Sequence, residues 1–156
     1  MQAHSTVEPW WAVITVWVIV NAVNTLQGVG FLSRVRTGSM TINHYIGIAI
    51  ILLAVPAILT IVAFIRERAS LTYWIGPAIF VVFIALLLIV DYIRPVEFRS
   101  PMRPEILIPF LVLFFGGILL MGLPMFRINR SLWLVTAATT VFHLISMVIA
   151  MRVGVG

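Results

Sequence analysis

Fifteen charged residues cut this 156-residue chain into uncharged stretches, and five of those stretches are long enough to cross a bilayer. They cover residues 9–33, 37–65, 69–90, 106–126 and 131–151, with lengths of 25, 29, 22, 21 and 21 residues. A helix rising about 1.5 Å per residue needs roughly 20 predominantly apolar residues to traverse ~30 Å of hydrocarbon. Every run meets that length. The sequence therefore predicts an all-α, polytopic integral membrane bundle of five transmembrane helices joined by short loops. The expected spans are about 10–32, 42–65, 71–93, 105–126 and 130–151, within one transmembrane domain over 1–156.

Composition closes off the other classes. The chain is 62% hydrophobic and 10% charged, whereas soluble domains are about 45–50% apolar and about 25% charged. A soluble enzyme, a nucleic-acid-binding domain and a disordered chain are excluded. The net charge of +5 is expected to serve interfacial anchoring and orientation rather than nucleic acid. Cysteine is absent, which removes disulfides and thiolate metal sites. All ten basic side chains are Arg, so no lysine amine is present for Schiff-base chemistry. Residues 1–8 lack Lys and Arg and do not resemble a cleaved signal peptide, so the first apolar run is expected to persist as a span.

Proline and arginine positions add detail. Pro56 is expected to kink the second span, while Pro77 lies early enough in the third to be tolerated. Pro109 and Pro124 are taken to bound the fourth. Counted on alternate sides, Arg34, Arg36, Arg94, Arg99, Arg103 and Arg152 face Arg66, Arg68, Arg127 and Arg130. This excess predicts a cell-membrane protein with its N-terminus outside and its C-terminus in the cytoplasm.

Polar residues within spans are costly and carry most of the remaining information. The first span holds Asn21, Asn24, Thr25 and Gly28 on one face, with Gln27 at its edge; the fifth holds Thr136, Thr139, Thr140, His143 and Ser146 within one arc. Such stripes serve as interhelical hydrogen-bond glue or line a cavity. His143 is expected to bond one turn back, to Thr139 or Thr140. The sharper readings are a proton relay, a quinone contact or a haem ligand. His44 is the one candidate for a second axial haem ligand, but it lies roughly 10 Å from His143 in depth, so haem b is not assigned and no cofactor is expected.

Six of the fifteen charges fall between Asp91 and Glu105. Asp91 and Arg94 are spaced to pair over one helical turn. With Arg34 and Arg36, the side chains of Glu97, Arg99 and Arg103 form a candidate surface for a partner protein or lipid. Asn21, Asn24, Gln27, His44, Asp91, Arg94 and His143 form a candidate polar ligand site toward the cytoplasmic half. No H-E-x-x-H or G-x-S-x-G occurs. The reading is a protein without evident catalysis: a subunit, assembly factor or scaffold of a larger membrane complex. The alternative is a protein that binds or transports a lipophile such as a quinone, isoprenoid or haem. The bilayer is the expected environment, with a membrane-protein partner or a second copy as the associate and no nucleic acid.

Overall fold

The computed structural model describes residues 9–96 and 103–154. It contains α1 (Trp10–Thr37), α2 (Thr41–Leu52), α3 (Ala54–Arg66), α4 (Leu71–Leu88) continued by a π-helical turn (Ile89–Ile93), α5 (Pro104–Ile128) and α6 (Arg130–Arg152). With α2 and α3 taken as one span and the π turn added to α4, five helices are long and apolar enough to cross a membrane.

The ends of these helices have local causes. α1 runs five residues beyond its expected end, through Arg34 and Arg36, and stops at Gly38. Gly38 takes a left-handed φ of 65°, and its N–H donates to the Arg34 carbonyl at 2.8 Å, which is a glycine C-cap. Arg34 and Arg36, which lie beyond the expected end of the first span at about residue 32, are thus helical. Arg34 is buried because its guanidinium lies 4.9 Å from the centre of the Phe31 ring, and with the Asn43 amide turned to suit it, Nε and Nη2 donate to that side chain at 2.7 and 2.8 Å. At the other face, the N–H of Ala69 bonds to the Phe64 carbonyl and that of Arg68 to Ile65, with Arg68 at φ 54°. This reverse turn leads into α4. Between α5 and α6 a single residue, Asn129, makes the corner; its side chain accepts from the N–H groups of Ser131 and Leu132.

Prolines shape three spans in different ways. The second span breaks at Leu53, where the N–H bonds back only three residues to Ile50. Pro56 has no N–H to offer the Leu52 carbonyl, and its ring crowds that turn, which yields the expected kink. α4 continues through Pro77. α5 also continues through both Pro109 and Pro124 and reaches Ile128, so these prolines lie inside the helix instead of bounding it. The π turn ends at Arg94, whose N–H reaches back five residues to Ile89. Pro95 explains the stop, since a residue before proline is pushed out of the α region.

α1 is the central element and packs against α2, α3, α5 and α6. Val13, Val16, Ile19, Val20 and Val23 give it a buried apolar face. α4 and α5 form the other tight pair. There Gly76 lies against the α5 backbone: a Cβ on it would come within 2.6 Å of the Met121 nitrogen and 3.0 Å of the Leu120 oxygen. Leu120 is the residue whose carbonyl Pro124 deprives of its usual i+4 donor. Gly117 returns the approach, with its added Cβ 3.3 Å from the Phe80 backbone. Small residues permit such backbone-to-backbone packing in membranes.

Gly76→Ala should destabilise the protein by about 1–3 kcal/mol, because the atoms in the way are backbone and cannot rotate aside. Gly116→Ala, on α5, should leave stability unchanged or raise it by up to about 1 kcal/mol, as nothing lies within 4 Å of its added Cβ. Thermal unfolding in detergent compares them; equal midpoints would contradict the packing described.

Candidate functional site

The two polar stripes meet. α1 and α6 close on each other through a hydrogen-bonded seam that begins at Trp17, whose indole N–H donates to the Leu132 carbonyl at 2.9 Å. One turn on, the Asn21 amide donates to the Trp17 carbonyl at 2.7 Å and to the Thr136 hydroxyl at 3.2 Å, while its oxygen accepts from Thr139 at 2.8 Å. Asn24 donates to Thr140 at 2.9 Å and more weakly to Thr139 at 3.4 Å. Each threonine has a local carbonyl within reach as well: Thr136 that of Leu132, and Thr139 and Thr140 that of Thr136. The residue numbers rise together on both helices, so α1 and α6 run parallel, as a first and a fifth span must.

His143 completes the seam. It is 1% exposed, and its Nδ1 lies 3.4 Å from Oδ1 of the fully buried Asn24. With the Asn24 amide nitrogen committed to the threonines, its oxygen accepts and Nδ1 of His143 donates. The expected partner was Thr139 or Thr140 one turn back; the interhelical amide takes that place. Three phenyl rings wall the imidazole: Phe31 from α1 with centroids 5.9 Å apart, and Phe114 and Phe115 from α5 at 5.4 and 5.9 Å.

The remaining candidates lie elsewhere. Thr25 is exposed and leaves the stripe, and Gln27 is half-buried without a side-chain bond to another described residue. His44 is exposed at the start of α2, with its ring centroid 5.0 Å from that of Tyr92, and its carbonyl accepts from the Tyr92 hydroxyl at 2.9 Å. The His44 and His143 rings therefore have separate aromatic surroundings. Asp91 is half-buried within the π turn, and Arg94, at its cap, is exposed. Arg34 is buried beside Phe31 and Asn43, whereas Arg36 and Arg103 are exposed. Glu97 and Arg99 lie outside the described residues.

Sequence reasoning passed over Trp17, Asn43, Tyr92 and the three phenylalanines. Trp17 lies one turn before Asn21 on the same face, which is a readable signal. The phenylalanines carried none, being three of ten in an apolar chain.

Chemically, the seam can hold two helices in register and keep one imidazole buried among phenyl rings. No buried side-chain nitrogen or oxygen among the described residues lacks a hydrogen-bond partner. No family model matches the chain, and no curated protein or solved structure matches it either.

Asn24→Ala and Thr140→Ala should be coupled. Interhelical hydrogen bonds in membranes contribute about 0.6 kcal/mol on average and up to about 1.7 kcal/mol, so a double-mutant cycle should show a coupling energy in that range. Additivity to within about 0.3 kcal/mol would mean that the seam does not hold the helices.

Proposed function

We propose that this chain is a non-catalytic membrane bundle serving a larger complex as a subunit, assembly factor or scaffold. The observation carrying this reading is the mutual bonding of the buried polar groups. Asn21, Asn24, Thr136, Thr139, Thr140 and His143 are engaged with one another or with nearby carbonyls, so they contribute to assembly of the bundle. Lateral contact supplies the mechanism. α6 rests chiefly on α1, and Leu134, Ile145 and Val148 on its other sides are exposed. Asp91, Arg94 and Arg103 supply charge at one end, with the exposed Arg36 on the same side; Glu97 and Arg99, expected on the same surface, lie outside the described residues. The associate is a membrane protein or a second copy of this chain, and the reading assigns no cofactor. What weighs against the lipophile-binding alternative is that His143 and Asn24 bond to each other behind three phenyl rings, while His44 contacts Tyr92 instead.

Extraction in mild detergent and affinity capture of the full chain should recover it with a stoichiometric membrane-protein partner or as a homo-oligomer. A lone monomer would overturn this reading. A monomer carrying a Soret band or stoichiometric quinone would favour the alternative.

The same proposal places the protein in the cell membrane with its N-terminus outside and its C-terminus in the cytoplasm. Since the chain has no cysteine, Val153→Cys introduces a unique thiol at the exposed end of α6. An impermeant maleimide should label it only after permeabilisation. Ser70→Cys, at the opposite end, should be labelled in intact cells. The reverse pattern inverts the topology.

A further inference from the structure

At the end of the bundle where α4 begins, a cavity of about 210 Å³ is lined by Ser70, Thr72, Tyr73, Pro124 and Arg127. A second concavity, a groove of about 300 Å³, runs between α5 and α6; its walls include Ile118, Leu119, Leu123, Trp133, Ala137 and Val141. Leu123 and Arg127 stand one turn apart on α5 and so lie on the same side of that helix. Leu123 on the groove wall and Arg127 on the cavity wall are therefore neighbours across this turn.

We propose that the two together bind one anionic phospholipid, with its phosphate at Arg127 and an acyl chain in the α5–α6 groove. Charge complementarity selects the head. The α3–α4 and α5–α6 corners carry Arg66, Arg68, Arg127 and Arg130 against the single carboxylate of Glu67, and all five side chains are exposed. Guanidinium is a forked donor suited to phosphate oxygens. The Ser70 and Thr72 hydroxyls, 3.1 Å apart, offer further polar contact on the cavity wall. Level in the membrane agrees: exposed Trp10 and Trp11 mark this end of α1, as expected of a headgroup belt. The tail is selected by shape. On α5 the groove wall runs from Ile118 to Leu123, five residues of helix or roughly 7 Å at 1.5 Å per residue, and Arg127 stands one turn beyond it. A free phosphate would fill the cavity and leave the groove unused.

The test uses the full chain, purified in a non-ionic detergent and delipidated, then titrated with phosphatidylglycerol or with phosphatidylcholine of the same acyl chains. Native mass spectrometry should find one phosphatidylglycerol per chain, bound about tenfold more tightly than phosphatidylcholine. Arg127→Gln should remove most of that preference. Val141→Trp, at an exposed position on the groove wall, should weaken both lipids while leaving the melting temperature of the lipid-free protein unchanged. Equal binding of the two lipids, or unchanged phosphatidylglycerol affinity in both variants, would overturn the proposal. So would displacement of the lipid by millimolar inorganic phosphate while Val141→Trp binds normally, since the site would then recognise phosphate alone.

Discussion

Lipid tails compete for apolar helix surface on nearly equal terms with other helices, so burial of Val and Leu alone does not fix one span against another in a bilayer. The seam between α1 and α6 resolves this for the last span. Its amides and hydroxyls would each cost free energy if turned toward hydrocarbon, so the arrangement that pairs them excludes rotated alternatives. α6 has little else to hold it, since its contact with α5 is much smaller than its contact with α1. α1 in turn also touches α2, α3 and α5, and a helix gripped on several sides transmits the register of the seam to the whole bundle.

The α4–α5 pair reaches the same end by steric means. Gly76 and Gly117 bring the two backbones close enough that van der Waals contact replaces side-chain hydrogen bonds. Pro124 belongs to this arrangement, because it leaves the Leu120 carbonyl without its helical donor at the level where Gly76 approaches. With α5 drawn toward α4 and α6 drawn toward α1, the space between α5 and α6 is filled less completely. The lateral groove follows from the two strong pairings and needs no separate cause.

The spans were legible because charge is excluded from hydrocarbon, and the charge-free runs mark them to within a few residues. That same rule misplaced Arg34 and Arg36. A guanidinium can remain on a helix near the membrane surface when an aromatic face and an amide receive it, as Phe31 and Asn43 do for Arg34. Asn21, Asn24 and the threonines were legible as stripes through their 100° spacing. Which residue His143 meets was not, because Asn24 lies 119 positions away and the pairing depends on the axial offset between two helices. The π turn was also hidden: Pro95 signals a stop, but it does not say whether the preceding turn tightens or widens.

The parallel course of α1 and α6 bears on the charge asymmetry as well. A helix favours cations in its last turn, where unpaired carbonyls leave partial negative charge. Five of the ten arginines follow this rule: Arg34 and Arg36 close α1, Arg66 closes α3, Arg127 closes α5 and Arg152 closes α6. A five-span chain presents three span C-termini at one face and two at the other. Arginines in last turns thus number three on one face, Arg34, Arg36 and Arg152, against two on the other, Arg66 and Arg127, and the other five arginines bring the totals to six against four. The same residues that satisfy the local electrostatics of each helix supply the bias from which orientation is read. An odd number of spans, held parallel at first and last by the seam, makes those two demands compatible.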